Sequence, residues 1–520
     1  MTQPERPPDT SRAPEALPDL ALAPVGGTAL SLAALLIAVS PRYGYHRDEL
    51  YFLAAGHHIA WGYPDQPALV PLIARAMSAL APNSLIVLRL PAALASAALV
   101  MLTGLIAREL GAEGRAQVLA ALAIAVAPLV MGAGHLLSTT TFGLPAWALC
   151  CWLIVRILRT GNDRLWLAVG LAVGCGLFDS DLIAFLMFGI VAGLAMAGPR
   201  RPFRSVWLYA GSVVAVGLWA PYLAWQAAHG WPELAIARSI ANGGSGTSAP
   251  RWELLPLQLG LFGYLAPVWV TGLIRLLRGE ALRWCRALGI AFVVLLITFT
   301  VTGGKPYYLG GMFPLLFGAG AQPSLDWVRR GRPRGSSRLS YPRTSTTARA
   351  WLVGAAVLLT LTALPITLPL LPVADVHRTP VVALNYDAGE TIGWPVYVSE
   401  IASVYRSLPG SQRPSAIVLG SNYGEAGAVL RYGPADGLPA AYSGHNGFWY
   451  WGPPPAWATT AIAVGFGRGQ LAAFCGSLRI AARLDNHVAV QDDEQGAPVW
   501  VCSSLRDPWT AIWPRLRVLG

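Results

Sequence analysis

Long apolar runs recur through the first two thirds of the chain, separated by short polar connections. They start near Ala21, Leu85, Ala116, Phe142, Leu165, Asp181, Val206, Leu254, Ala287, Tyr307 and Ala350. A bilayer core accepts only segments whose backbone groups bond internally, so each run reads as a membrane helix. The pattern predicts a polytopic α-helical membrane protein with about 11 transmembrane helices over residues 21–371. Several runs are short, which suits tilted or partly buried helices. After Leu371 the pattern changes. Ala416 to Gly420 is a short apolar run, followed by a helix from Ser421 through Leu430. Ala461 to Phe466 with Gly467-Arg468-Gly469 repeats the strand and glycine turn, and Val499 to Cys502 reads as another strand. Residues 372–520 therefore form a small α/β domain. Neither glycine turn matches a dinucleotide fingerprint.

One connection is much longer than the rest, the first loop at 41–84. Leu50 to Trp61 fits an amphipathic helix lying in the membrane interface. Pro64-Asp65-Gln66-Pro67 is a turn into a second helix, Ala68 to Leu80.

Composition agrees with the pattern. The chain has 520 residues, of which 54% are hydrophobic and 12% charged; a soluble domain carries about 25% charged residues. The net charge of +11 would suit a nucleic-acid partner, but the arginines cluster between apolar runs. One set of connections holds Arg108 and Arg115; Arg156, Arg159 and Arg164; Arg200, Arg201 and Arg204; Arg275, Arg278, Arg283 and Arg286. Its last member runs from Arg329 through Arg343. The positive-inside rule makes this set cytoplasmic, with the N-terminus, and an odd span count puts the α/β domain outside a cell membrane. Residues 1–20 are Pro-rich with mixed charge and lack signal-peptide features, so a disordered cytoplasmic tail is expected.

Nearly every residue capable of chemistry falls on the other, extracytoplasmic set. Asp48 and Glu49 sit side by side in Tyr45-His46-Arg47-Asp48-Glu49-Leu50, where charge near hydrocarbon is costly to hold. Capping the following helix is the plainer explanation, but one acid suffices for a cap. Lys305 is the only lysine in the chain, in Gly303-Gly304-Lys305-Pro306-Tyr307-Tyr308. Its ammonium suits a phosphate, or snorkels to lipid headgroups. His135 lies at the outer end of the third run, as a structural or a catalytic imidazole. Asp179 and Asp181 flank Ser180 in a tight turn, as a functional edge or a solvated one. His57, Asp65 and Gln66 in the first loop are further candidates. Cys475 and Cys502 are the only cysteines of the polar domain, and an oxidising compartment would let them form a disulfide. Two buried, unpaired thiols are the alternative.

The order of Arg47-Asp48-Glu49-Leu50-Tyr51, Gly62-Tyr63-Pro64-Asp65-Gln66-Pro67, Gly134-His135-Leu136-Leu137-Ser138-Thr139-Thr140-Thr141-Phe142 and Gly304-Lys305-Pro306-Tyr307-Tyr308 resembles the bacterial dolichyl-phosphate-mannose protein mannosyltransferases. These belong to glycosyltransferase family 39, of GT-C fold, with the aminoarabinose transferases of lipid A. Gly389-Glu390-Thr391-Ile392-Gly393-Trp394, Asn422-Tyr423-Gly424-Glu425-Ala426-Gly427 and Tyr442-Ser443-Gly444-His445-Asn446 resemble actinobacterial members. The resemblance implies transfer of a hexose, mannose by default, from a polyprenyl-phosphate donor to an acceptor hydroxyl outside the cytoplasm. The acceptor would be a protein, a glycan, a lipid or a secreted natural product. Asp48 would be the base with Glu49 beside it, and Arg47, Lys305, Tyr307 and Tyr308 would meet the donor phosphate.

Two positions depart from that pattern. Relatives usually carry an acid after Thr-Thr-Thr-Phe, where this chain has Gly143, and an Asn-Lys type pair where it has Asp179-Ser180. The departures imply either a re-tuned site, with a divalent cation held by Asp179 and Asp181 in place of a lost lysine charge, or an inactive paralogue acting as a binding scaffold. A lipid-linked-sugar transporter is a third possibility. Against it, the spans look non-repetitive and the charges crowd one membrane edge.

Overall fold

The computed structural model describes residues 16–330 and 345–520. Most of the N-terminal tail, and Arg332, Arg334, Arg338 and Arg343 of the last arginine-rich connection, lie outside the described residues.

The membrane part begins with α1 (Leu22–Val39), followed by α2 (Arg47–His57) and α3 (Leu69–Leu80) of the first loop. It continues through α4 (Leu85–Glu109), α5 (Gly114–Ala125), α6 (Pro128–His135), α7 (Thr139–Thr160), α8 (Leu165–Leu177), α9 (Leu182–Ala197) and α10 (Val206–Ala228). Then come α11 (Pro232–Ala241), α12 (Leu254–Leu261), α13 (Ala266–Arg278), α14 (Arg286–Thr302), α15 (Phe313–Arg330) and α16 (Thr346–Thr367). Among the described residues six helices are long and apolar enough to cross a membrane, and two bent pairs, α5 with α6 and α12 with α13, bring the number to eight. The shortfall from about 11 has a geometric cause. At 13 residues, α8 is about 20 Å long, short of a hydrocarbon core of about 30 Å. Pro128 at the start of α6 cannot continue α5, and the pair bends by 58°.

Small residues set the helix spacing. A Cβ on Gly320 of α15 would lie 1.8 Å from the Val268 carbonyl oxygen of α13. One on Gly170 of α8 would lie 2.1 Å from that of Gly211 on α10. Both helix pairs thus pack backbone against backbone, the way membrane helices gain dispersion contact where water supplies no hydrophobic drive.

The polar domain contains α17 (Trp394–Ser407), α18 (Tyr423–Tyr432) and strands β1 (Ala416–Gly420), β2 (Ala441–Ser443), β3 (Thr460–Val464), β4 (Cys475–Arg483) and β5 (Pro498–Leu505). The sheet order is β2-β1-β3-β5-β4. β1 is parallel to β2 and β3, while β5 runs antiparallel to β3 and β4. β1 and β3 are buried throughout because both sheet faces are covered. Cys475 and Cys502 are joined by a disulfide between β4 and β5, with Cα atoms 5.5 Å apart.

The first-loop helix differs from its expectation. It starts at Arg47, because His46 and Glu49 form a reciprocal capping box. Its apolar side is covered by protein: Leu50, Tyr51 and Phe52 are buried in one core with Val418, Ala426 and Val464 of the sheet domain. Gly424 and Gly427 open α18 to it, since Cβ atoms there would lie 3.1 Å from Arg47 Cβ and 3.0 Å from Leu50 Cβ. The carboxyl ends of β1 and β2 lead directly into Tyr423 and Asn446, at the edge facing the membrane part.

Candidate functional site

A cavity of about 520 Å³ opens where the first loop, the ends of the membrane helices and the sheet domain meet. It is lined by Asp48 and Gln66 from the first loop, Gly143 from α7, Asp181 before α9, and Lys305, Tyr307 and Tyr308 after α14. Asp65, Glu233, Tyr423 and Asn446 complete its polar wall.

Asp48 stands in the first turn of α2, where a carboxylate meets the helix's positive end. Its Oδ1 accepts a hydrogen bond from the Tyr423 hydroxyl at 2.7 Å, and its side chain remains 37% exposed. Lys305 is placed by a backbone turn. Gly303 adopts φ +74°, which side chains disfavour, and so ends α14 and redirects the chain. The Lys305 ammonium lies 5.8 Å from the Tyr307 ring centre and makes no ion pair within 4 Å among the described residues.

Each cavity acid has an aromatic donor. Asp65 accepts from the Tyr51 hydroxyl at 2.8 Å and from Asn446 Nδ2 at 3.2 Å. Asp181 accepts from Trp219 Nε1 at 3.0 Å and Glu233 from the Tyr222 hydroxyl at 3.2 Å. Burial raises the Asp65 carboxyl to about 7, against the pull of the Tyr51 bond. Burial, then the neighbouring Asp181 and Asp65, raise Glu233 to about 8.

Most of the other candidates are placed elsewhere. Glu49 is fully buried and bidentate to Arg89, at 2.8 and 2.7 Å, and also accepts from the backbone N–H groups of His46 and Leu137. It does not line the cavity. The positive charge of Arg47 is met by Glu390 at 3.2 Å and by Asp493 at 2.5 Å, with the Tyr386 hydroxyl accepting at 2.8 Å. It joins the first loop to the sheet domain. His135 is buried with its Nε2 3.3 Å from Arg89. His57 is exposed and bonds Arg75 at 2.9 Å. Gln66 lines the cavity with its Nε2 lacking a hydrogen-bond partner among the described residues.

Asp179 is buried in the α8–α9 turn, with neither carboxylate oxygen hydrogen-bonded among the described residues. Burial alone pushes its carboxyl well above the usual range. A Cβ on Gly143 would lie 3.5 Å from its Oδ2, so this acid stands directly behind the glycine that faces the cavity. Among the described residues no three His, Cys, Asp or Glu side chains come together as metal ligands, so Asp179 and Asp181 lack a third donor of those types.

Sequence reasoning passed over Arg89, Glu233, Tyr423 and Asn446. Arg89 carried a signal, an arginine inside the apolar run of α4, where an unpaired charge is untenable. Tyr423 and Asn446 lie in the Asn422–Gly427 and Tyr442–Asn446 motifs that carry the family resemblance, which assigns them no role. Glu233 had no signal beyond its loop.

Residues 65–225 match the sequence model of the family described as dolichyl-phosphate-mannose-protein mannosyltransferase. No curated protein matches the chain. Among solved structures, ArnT from Cupriavidus metallidurans bound to undecaprenyl phosphate superposes with a TM-score of 0.56 at 16% identity, over 91% of this chain and 97% of that one. Its apo state gives 0.54 at 15% identity, over 91% and 96%. The archaeal oligosaccharyltransferase AglB from Archaeoglobus fulgidus, in complex with an inhibitory peptide and a dolichol-phosphate, gives 0.44 at 14% identity, over 84% and 69%. The shared architecture gives this chain the GT-C fold of ArnT, and its residues 65–225 carry the sequence pattern of the dolichyl-phosphate-mannose-protein mannosyltransferases.

Proposed function

We propose that the protein transfers a hexose, mannose by the family's description, from a polyprenyl-phosphate donor to an acceptor hydroxyl on the extracytoplasmic face of the cell membrane. The N-terminus is then cytoplasmic and the sheet domain outside, as the arginine-rich connections require. The acceptor is a protein, a glycan, a lipid or a secreted natural product. One observation carries the reading: a single cavity holds a partly exposed carboxylate, Asp48, fixed by a tyrosine, together with Lys305, which makes no ion pair within 4 Å among the described residues.

The chemistry needs those two groups. Asp48 accepts the acceptor's proton as its oxygen attacks the anomeric carbon, and the bond from that carbon to the phosphate oxygen breaks. Lys305 neutralises the charge left on the lipid phosphate, with the hydroxyls of Tyr307 and Tyr308 as further donors. The undecaprenyl phosphate bound to ArnT supports a lipid-phosphate donor of this kind.

Purified protein incubated with a radiolabelled polyprenyl-phosphate hexose and cell-envelope extract should move label into an envelope component. Label retained wholly on the lipid, across several hexoses, would overturn the transferase assignment and favour a scaffold.

A further inference from the structure

We propose that the sheet domain is a working half of this site, with Tyr423 and Asn446 as positioning residues that aim Asp48 and Asp65 into the cavity. The inference rests on the reading of Asp48 as the base.

The geometry at Asn446 is the starting point. Its backbone lies at φ +45°, ψ −129°, a region that glycine enters freely and other residues avoid. Glycine follows it, at Gly447, but does not replace it. Strain of this kind persists only where the surroundings over-determine it. Here the side chain supplies the reason: Nδ2 donates to Asp65 Oδ2 at 3.2 Å, while Oδ1 accepts from the Gly520 N–H at 3.1 Å. The Asn446 N–H donates to the Val518 carbonyl at 3.0 Å. The next residue acts on the same acid at one remove. The Gly447 N–H donates to the Tyr51 hydroxyl at 3.1 Å, and that hydroxyl donates to Asp65 Oδ1 at 2.8 Å. Both carboxylate oxygens of Asp65 are thereby oriented through one turn of the sheet domain.

Tyr423 does the same for Asp48. It occupies the first turn of α18, held by the capping box of Asn422 and Glu425, and reaches Asp48 Oδ1 at 2.7 Å. Its ring lies 4.9 Å from that of Tyr51, so the two phenols that serve the two acids brace each other.

Docking alone does not account for these bonds. The domain is already joined to the first loop by the buried core around Leu50 and by Arg47 with Glu390 and Asp493. The Tyr423 and Asn446 bonds instead end on carboxylates that line the cavity.

The test measures transfer at saturating donor and acceptor, donor affinity and melting temperature in four variants of the full chain. Tyr423→Phe and Asn446→Gly should each lower kcat by roughly tenfold with donor affinity within about twofold, since misplacing a reacting group costs rate before binding. Asn446→Gly relieves the backbone strain, so its melting temperature should not fall. Asp493→Asn, which loosens the docking contact, should lower the melting temperature and keep kcat. An equal kcat loss in Asp493→Asn would make Tyr423 and Asn446 ordinary docking contacts and overturn the inference. Unchanged kcat in Tyr423→Phe and Asn446→Gly, with Asp48→Asn inactive, would overturn it while leaving the base assignment standing. Full turnover in Asp48→Asn would overturn that assignment, and the inference with it.

Discussion

Glu49 and Arg89 face each other inside the protein with both carboxylate oxygens paired to guanidinium nitrogens, at 2.8 and 2.7 Å, and no exposed surface on either side chain. Arg89 also donates to the carbonyls of Ser40 and Gly44, at 2.7 and 2.6 Å. One ion pair thus ties the end of α1, the first loop, α4 and the α6–α7 junction together. Removing one partner of such a pair strands the other, at about 3–5 kcal/mol. Glu49→Gln should therefore destabilise the detergent-solubilised protein by several degrees in melting temperature. Its residual turnover, measured on the folded fraction, should stay within a few fold of the native value.

Asp48→Asn is expected to behave in the opposite way. It keeps the shape and the Tyr423 bond while removing the proton acceptor that the proposed mechanism needs, so on that mechanism turnover should fall by about 10²-fold or more. Donor binding and melting temperature should be unchanged.

The raised acids set a pH dependence. Unfolded Asp and Glu lose their protons near pH 4. Burial holds Asp65 at about 7, Glu233 at about 8 and Glu425 at about 7 in the folded protein. Between those limits these three carboxyls bind more protons in the native state than in the unfolded one, so their contribution to stability falls as pH rises from about 4 to about 8. The melting temperature should be higher at pH 5 than at pH 8.5. Glu233→Gln should narrow that difference.

Gly143 and Asp179 give a paired prediction. Alanine at 143 meets Asp179 Oδ2 at an ordinary 3.5 Å and should be tolerated. Gly143→Asp brings a second carboxylate against one that is already buried and unpaired, and should reduce stability and activity together. Asp179→Asn in the same chain should recover much of that loss, measured as melting temperature and turnover.

Topology is open to a direct check. Thr139 lines the cavity at one end of α7, so Thr160 lies at the opposite end, whereas exposed Ser411 belongs to the sheet domain. With exposed Cys175 replaced, a cysteine at Ser411 should react with an impermeant reagent in intact cells and one at Thr160 should not. Labelling of Thr160→Cys would place the cavity on the cytoplasmic face.

Particular residues show where the chain's pattern was informative. The apolar runs located the membrane helices and β1 because burial writes itself as continuous hydrophobicity. The pairing of Asp48 with Tyr423 spans 375 positions, and no local period encodes a contact so distant. The same holds for Glu49: adjacency to Asp48 suggested a shared task, yet neighbours on a helix point about 100° apart, and one turned to Arg89 while the other turned to the cavity. Arg47 was similarly ambiguous, because a cation placed for phosphate and one placed for Glu390 and Asp493 look alike until the partners are seen.

Open α/β sheets ordinarily collect ligands at the carboxyl ends of their parallel strands. In this domain the ends of β1 and β2 are turned toward the first loop and occupied in holding Asp48 and Asp65. The edge that an independent domain would use to capture its own small molecule is committed to a neighbour. Any ligand competing for it would have to lift the domain from the cavity, and would thus register as an inhibitor of the membrane half.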